Sequence, residues 1–454
     1  SNSLPMLENM GVTVTDEKPY EIKKSGFSKS FWMHDFGLNY KDMKLLDLEK
    51  IKPLFKESFE RCWKGEIEND GFNRLIIEAG LNWRQVNILR AFYFYFRQLD
   101  ITFSQAYVEA TLAENPRIVQ LLVRLFYYLF DPGSERNESK TKGLQEEIEG
   151  AIDQVSSLDE DRILRRYLNL IQATVRTNYF KNPVDELQIS YFAIKLNSSR
   201  VIEIPSPVPV FEIFVYSPRV EGIHLRGGAV ARGGLRWSER MEDFRTEVLG
   251  LMKAQMTKNT VIVPSGAKGG FVAKRLSEFH DKASAKQEAI SCYRILVRGL
   301  LDLTDNLRGE DTVRPDEVVC YDGNDPYLVI AADKGTATFS DFANELSAQY
   351  GFWLGDAFAS GGSAGYDHKE MGITARGCWE SVKHHFDLLG VNIKTTPFSV
   401  IGIGGMNGDV FGNGMLLSDN IKLIGAFDHE SIFLDPEPDK EISFNERKRL
   451  FNVP

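Results

Sequence analysis

The sequence predicts a multidomain chain of α followed by α/β structure, and three observations predict it. From about residue 46 to 182 apolar residues recur at helical spacing, and from about 186 they alternate or gather in β-branched runs. Beyond that point strand-like segments are separated by helical ones, the order of an α/β domain with functional residues at strand ends. At 454 residues the chain is long enough for two to four domains. Its 43% hydrophobic and 26% charged residues suit a folded chain, while a net charge of -10 argues against a nucleic-acid partner, which needs a basic face. Arg84, Arg90 and Arg97 interrupt the most aromatic segment before it reaches membrane-span length, so no membrane partner is predicted. Cys62, Cys292, Cys320 and Cys378 are dispersed without metal-finger spacing, and His368, His384 and His385 lack a ligand set. These features, with no signal-like start, predict a cytoplasmic chain with buried thiols and no metal site.

Taken in order, residues 1–45 hold short strand-like pieces, GVTVTDEKPYEI and FWMHDFGLNY, and read as the end of a domain whose beginning is missing. Residues 46–185 form a helical domain. Trp83, Val86, Leu89, Arg90 and residues 92–96 belong to one aromatic helix, and Ile118, Leu121, Leu122, Leu125, Phe126 and Leu129 to another, both read as core stripes. The polar run 131–142 has no apolar period and reads as a loop. Ser157 and Glu160 then have the spacing of a capping box that opens a helix with a stripe of Ile163, Leu164, Tyr167, Leu168 and Ile171. Residues 186–395 form the α/β domain. Its strands are read in LQISYFAIKL, VFEIFVYS, GIHLRGGAVA, EVVCY and YLVIAADKG, and its helices in FSDFANELSAQYG and TARGCWESVKHHF. Residues 396–454 begin a further unit, since LLGVNIKTTP ends one helix and starts a new strand.

Residues 231–270, ARGGLRWSERMEDFRTEVLGLMKAQMTKNTVIVPSGAKGG, combine two Gly-Gly pairs with three cations at element ends, Arg232, Lys258 and Lys268. Glycine pairs such as Gly233 and Gly234 let backbone approach a ligand closely, and a cation beside each pair can grip an anion. Ser238 is expected to cap a helix that buries Phe244, Val248, Leu251, Met252 and Gln255 and ends near Lys258, followed by a strand at 260–263. Lys268, directly after that strand, has Gly266, Gly269 and Gly270 opening space around it, and a lysine taken out of water there can serve as base or polariser. The plain alternative is a solvated loop lysine. Asp333 follows an apolar strand; it could work as an acid-base group, cap the helix near Phe339 or pair with Lys334, with Asp341 the better cap.

FSVIGIG, GMNGDVFG and LIGAFD read as the first βαβ unit of a dinucleotide fold. Gly402 and Gly404 fit the first two fingerprint glycines, and Gly408 comes one place late. Asp428 ends the second strand, where an acid bonds a ribose hydroxyl and repels a 2'-phosphate. Asp409 at the helix start opposes an anion and must point away or weaken its binding. Only 26 residues follow Asp428, against roughly 60 to 100 for the second half of such a domain, so the chain reads as ending inside it.

ARGGLRWSE, MTKN and PSGAKGGF resemble the substrate-binding core of amino-acid dehydrogenases, and nearly the whole chain resembles the large bacterial NAD-specific glutamate dehydrogenases. The resemblance implies an α/β substrate domain of the amino-acid dehydrogenase type, a partial Rossmann-like domain for NAD, and a regulatory-type domain ending at residue 45. It implies that Lys268 polarises the substrate and helps water attack the iminium, while Asp333 passes protons to and from the substrate nitrogen. Arg232 would hold the side-chain carboxylate, Lys258 the α-carboxylate, and Gly233 and Gly234 would line the substrate. Arg232 departs from the lysine usual in the small hexameric enzymes, and Arg236 is close enough to take its role. GGSAGYDHKEMGITAR resembles the segments bordering the nicotinamide cleft and so brings in Ser363 and Thr374. The expected activity is oxidation of L-glutamate to 2-oxoglutarate and ammonia with NAD, in a homo-oligomer. The alternatives are a dehydrogenase of another amino acid, or an inactive substrate-binding or assembly fragment.

Overall fold

In the computed structural model the described residues are 3–23, 30–41, 47–99, 103–181, 191–229, 232–258, 265–336, 338–363, 365, 368–428 and 430–453. They divide between Ser360 and Gly361 into two units. The first opens with α1 (Ser3–Asn9) and a hairpin of β1 (Thr13–Ile22) and β2 (Phe31–Asn39). Helices follow: α2 (Leu48–Trp63), α3 (Leu75–Glu78), α4 (Trp83–Arg97), α5 (Gln105–Glu114), α6 (Pro116–Phe130), α7 (Glu138–Ile152) and α8 (Leu158–Ala173). Asn82 and Gln85 close a capping box on α4, and Ser157 accepts from the Glu160 N–H on α8. The run 131–142 is only half loop: Asn137 accepts from the N–H groups of Ser139 and Lys140 and starts α7 there. No described helix is long and apolar enough to cross a membrane.

An eight-stranded sheet organises the first unit, in the order β12-β11-β7-β8-β6-β5-β4-β3. The strands are β3 (Thr174–Thr177), β4 (Phe192–Asn197), β5 (Phe211–Tyr216), β6 (Val220–Arg226), β7 (Arg232–Trp237), β8 (Ala267–Ala273), β11 (Val329–Ala332) and β12 (Ala359–Ser360). The short pair β9 (Asn306–Arg308) and β10 (Asp311–Val313) lies outside it. Strands β12, β11, β7 and β8 run parallel, and β8, β6, β5, β4 and β3 alternate. The expected strand EVVCY forms none.

One face of the sheet is covered by the helical region and by α9 (Phe244–Lys258), in a single cluster that includes Phe92, Phe126, Phe192, Phe214, Leu225 and Val248. Phe92 meets Phe126 and Phe192 edge-on at 6.3 and 6.4 Å. The expected boundary at 185/186 therefore crosses one continuous core. The opposite face packs Leu235, Phe271 and Ile330 against α10 (Lys282–Asp302) and α11 (Ser340–Gln349) through Leu296, Leu300 and Leu346.

In the second unit α12 (His368–Met371) and α13 (Ile373–Leu388) precede β13 (Phe398–Ile403), α14 (Asp409–Gly414), β14 (Ile421–Phe427), β15 (Ile432–Leu434) and α15 (Lys440–Phe451). Strands β13 and β14 are parallel, and β15 is antiparallel to β14. Trp379 and Phe386 of α13 pack on Phe398 of β13, with ring centres 6.0 and 5.1 Å apart. That apolar contact ties α13 to the rest of the second unit, which moves the division from the expected 395/396 to 360/361.

A buried chain of charges fastens the segment 303–328 to the sheet. Arg176 of β3 pairs with Asp305 and Asp322 at 2.6 Å each, Lys195 of β4 with Asp322 and Asp325 at 2.5 and 2.7 Å, and Arg226 of β6 with Asp325 at 2.6 Å. Burial would push the Asp325 carboxyl up, but Arg226 and Lys195 outweigh it and hold it far below the usual carboxylate range. Its stabilisation is thus present above the ordinary carboxylate pKa and lost only as pH falls towards the depressed folded value. Asp325→Ala strands Lys195 and Arg226 in the interior and is expected to cost about 3 to 5 kcal/mol, read as a lowered denaturation midpoint.

Candidate functional site

Strand β7 lies between β11 and β8 and carries the glycines that let those neighbours' side chains meet. A Cβ on Gly233 would stand 1.6 Å from the Ala267 carbonyl oxygen, so only glycine fits there. On Gly234 it would stand 3.0 Å from Asp333 Cβ and 3.2 Å from Lys268 Nζ. The pairing of Leu235 with Gly269 puts Gly234 opposite Lys268, while that of Ala332 with Leu235 delivers Asp333 beside Arg236. Lys268 from β8 and Asp333 from the end of β11 then form an ion pair over Gly234, with side chains 14% and 15% exposed. The pair is sheltered but reachable.

Lys268 is the second residue of β8, within a strand rather than after one, and so is not the solvated loop lysine of the plain alternative. Gly269 and Gly270 do not open space: a Cβ on either would press Leu235 Cδ2 at 2.3 Å or Val248 Cγ2 at 2.8 Å, so they bring strand and helix together. Asp333 caps no helix. Its Oδ1 accepts from the Lys334 N–H at 2.7 Å and from Arg236 Nη2 at 3.2 Å, and Oδ2 faces Lys268. Burial would raise this carboxyl, but the Lys268 and Lys334 hydrogen bonds and the Lys268 and Arg236 charges together hold it below its ordinary value. Thr336 Oγ1 accepts from the Asp333 N–H at 3.0 Å and donates to the Leu235 carbonyl at 2.7 Å, which fixes the turn.

Arg232, Gly234 and Arg236 alternate onto the same face of β7. Arg232 is exposed and makes no ion pair among the described residues. Lys258 closes α9, and its side chain lies outside the described residues, as does the expected strand at 260–263. Ser238 does not cap α9, which starts six residues later; its hydroxyl donates to Glu247 Oε2 at 2.6 Å. Of the four cysteines, all free, Cys62 and Cys292 are buried and Cys378 is exposed, contrary to the buried thiols expected.

The nucleotide-type residues cluster in the second unit. A Cβ on Gly402 would meet the Phe411 ring at 2.4 Å, so this glycine seats α14 against β13. Gly404 has φ +131°, and Gly408 is the residue that precedes α14. Asp428 Oδ1 accepts from the N–H groups of Glu430 and Ser431 at 2.9 and 2.8 Å, while Oδ2 lies 3.2 Å from where a Gly405 Cβ would stand. Gly404, Gly405, Met406, Asp428, Ser431 and Ile442 line part of a cavity of about 560 Å³. Asp409 lies at the α14 start, with Asn413 Nδ2 3.4 Å from its Oδ1. Ser363 and Thr374 are exposed and belong to this unit, Thr374 in the first turn of α13. A side-chain-free Gly404 and Gly405 facing an anchored acid suit the diphosphate and ribose of a dinucleotide.

Residues 147–454 match the family model of the bacterial NAD-glutamate dehydrogenase catalytic domain. The chain belongs to that family. Residues 67–132 match glutamate dehydrogenase helical motif 3, and residues 1–51 its ACT3 domain. The chain is 56% identical over 454 residues to the NAD-specific glutamate dehydrogenase of Halomonas elongata, and 53% over 458 to that of Pseudomonas aeruginosa, covering all of this chain and 28% of each relative. With the Mycobacterium tuberculosis enzyme the identity is 50% over 470 residues, covering all of this chain and 29% of that enzyme. It thus spans under a third of these relatives' length.

Within this family member, sequence reasoning missed the link from Ser238 through Glu247 and Arg236 to Asp333. The available signal was Glu247 itself, an acid one place before the buried Val248 on α9. Gly234→Ala is expected to keep the fold while forcing Lys268 and Asp333 apart, and Gly233→Ala to cost about 3 kcal/mol or more through the clash with Ala267. Thermal melts paired with turnover in the full-length polypeptide separate the two effects.

Proposed function

We propose that this chain carries the substrate-binding part and the start of the cofactor-binding part of an enzyme that oxidises L-glutamate to 2-oxoglutarate and ammonia with NAD. The observation that carries the reading is the Lys268–Asp333 pair over Gly234, a cation and an acid in contact at a sheltered place among further cations. Arg232 binds the side-chain carboxylate, as an arginine fork can, and Lys258 the α-carboxylate. Asp333 takes a proton from the substrate amine, which readies the α-carbon to release hydride. Lys268 then polarises the iminium and guides the attacking water, and Asp333 returns the proton to the departing ammonia. Bound NAD supplies the redox chemistry by accepting the hydride. Gly402, Gly404 and Gly408 give its diphosphate close backbone, Asp428 takes a ribose hydroxyl and disfavours a 2'-phosphate, and Ser363 and Thr374 border the nicotinamide. Family membership and the relatives' name support this assignment. A cytoplasmic, homo-oligomeric enzyme of glutamate catabolism completes the proposal.

A dehydrogenase for an apolar amino acid is disfavoured by Arg232, because a charged group facing an apolar side chain would lack a counter-ion. The test follows NADH formation from L-glutamate and NAD in the full-length polypeptide, in its variants and in this chain alone. Lys268→Ala is expected to lower kcat by about 10²- to 10⁴-fold, and Arg232→Leu to raise the glutamate KM by about 10- to 100-fold. An unsubstituted full-length protein that leaves glutamate untouched sinks the substrate assignment. Activity in the full-length protein but not in this chain would show that residues beyond the sequence complete the site.

A further inference from the structure

Asp333 is held from three sides. Lys268 on β8 takes Oδ2, while the Lys334 N–H of its own loop and Arg236 on β7 converge on Oδ1 at 2.7 and 3.2 Å. Arg236 is itself gripped by α9: its Nη1 lies 2.9 Å from Glu247 Oε1, and the other oxygen of that carboxylate accepts from Ser238 at 2.6 Å. The chain of contacts runs from Glu247 on the helix, through Arg236 on β7, to the Asp333 carboxylate. Arg232 is the remaining cation on that face of β7 and lies at the start of the strand.

We propose, building on the glutamate dehydrogenase reading, that Arg236 is a positioning residue which, clamped by Glu247 and Ser238, fixes the Asp333 carboxylate so that Oδ2 faces Lys268 and the substrate amine. Two arguments separate this role from carboxylate binding. First, both terminal guanidinium nitrogens are engaged by protein carboxylates, and the side chain is only 20% exposed, whereas Arg232 is exposed without an ion pair among the described residues. Second, Arg236 and Lys268 face Asp333 and Glu247, a group of two cations and two acids that is already charge-balanced. A substrate carboxylate would have to displace one of those acids and leave it half-buried without its partner. The Glu247 carboxyl is itself held below its ordinary value: burial raises it, and the Ser238 and Arg236 bonds outweigh that, so it stays an anion able to grip Arg236.

The test is steady-state kinetics across pH on the full-length enzyme and its Arg236→Gln, Arg236→Lys and Glu247→Gln variants. A loosened Asp333 is expected to cost about 100-fold in kcat with little change in the glutamate KM, the effect of misplacing a reacting group by about 1 Å. Asp333 must be ionised to take the amine proton, and removing a neighbouring cation makes it harder to ionise. The acidic limb of the pH profile therefore moves to higher pH in Arg236→Gln, and Arg236→Lys recovers part of both effects. Glu247→Gln removes an anion and keeps the guanidinium, so it lowers kcat without that upward shift. A raised KM with kcat retained would make Arg236 a substrate ligand and overturn the inference, as would an acidic limb unmoved in Arg236→Gln. If Arg236→Gln does not fold, the nearly isosteric Glu247→Gln and the charge-retaining Arg236→Lys carry the comparison of kcat with KM. Activity of the unsubstituted enzyme tests the functional reading; only the variants test the brace.

Discussion

The candidate site depends on how closely β8 and β11 approach across β7. Ordinary strands stand about 4.8 Å apart, so side chains two strands away from each other are normally screened by the residue between them. Gly234 removes that screen, and Lys268 and Asp333 meet above it. Gly233, pressed on the Ala267 carbonyl, holds β7 to β8 at the distance this meeting requires. A side chain at Gly233 would push the strands apart, and one at Gly234 would part the pair above it. The glycines in ARGGLRW are thus structural in cause and chemical in consequence.

The two faces of the sheet solve different problems. On the site face, aromatic rings from α4 and α6 and aliphatic side chains from α9 form a continuous apolar layer, and the polar pair sits at its margin near the ends of β7 and β11. At the far side of the sheet order, Arg176, Lys195 and Arg226 are buried against Asp305, Asp322 and Asp325. Such a network contributes little net stability relative to apolar packing, but breaking it at one member is costly. Its effect is to set where the long segment 303–328 runs, and that segment leads directly into β11 and Asp333. Arg176, Lys195 and Arg226 lie far from Asp333 in sequence yet constrain the strand that delivers it.

Much of this was legible in the sequence, and the failures have specific causes. Helix α4 and strands β5 and β6 are nearly wholly buried, and β13 and β14 alternate between a more sheltered and a more exposed face, patterns that apolar runs and alternation display in the sequence. The run EVVCY has strand composition but forms none, since composition does not supply a neighbour to pair with. Ser238 has the composition of a cap and does accept a local N–H, that of Arg240 at 3.1 Å, but the helix starts only at Phe244, and the hydroxyl donates to Glu247. Helix α13 was assigned to the wrong side of a boundary because its stripe of Trp379 and Phe386 says only that it packs, not on which strand. Lys268 and Asp333 could be named from motifs, but their contact depends on the register of three strands, which one sequence does not display.

Charge balance connects the site to its proposed substrate. Under the proposed assignment the site counts four cations, Arg232, Lys258, Arg236 and Lys268, against two acids, Asp333 and Glu247, an excess of two positive charges. The internal pairs of Arg236 with Glu247 and Lys268 with Asp333 cancel one another, so the excess resides on Arg232 and Lys258. A dicarboxylate neutralises both. Glutamate whose amine has given up its proton and the product 2-oxoglutarate carry the same two negative charges, so the carboxylate contacts need not change as the α-carbon is oxidised. A monocarboxylate would leave one cation without a counter-ion, at a cost that grows as water is excluded. Under that assignment discrimination between amino acids would come from Arg232, and the Lys268–Asp333 pair, internally neutral, would be left to move protons without also having to bind the substrate's charge.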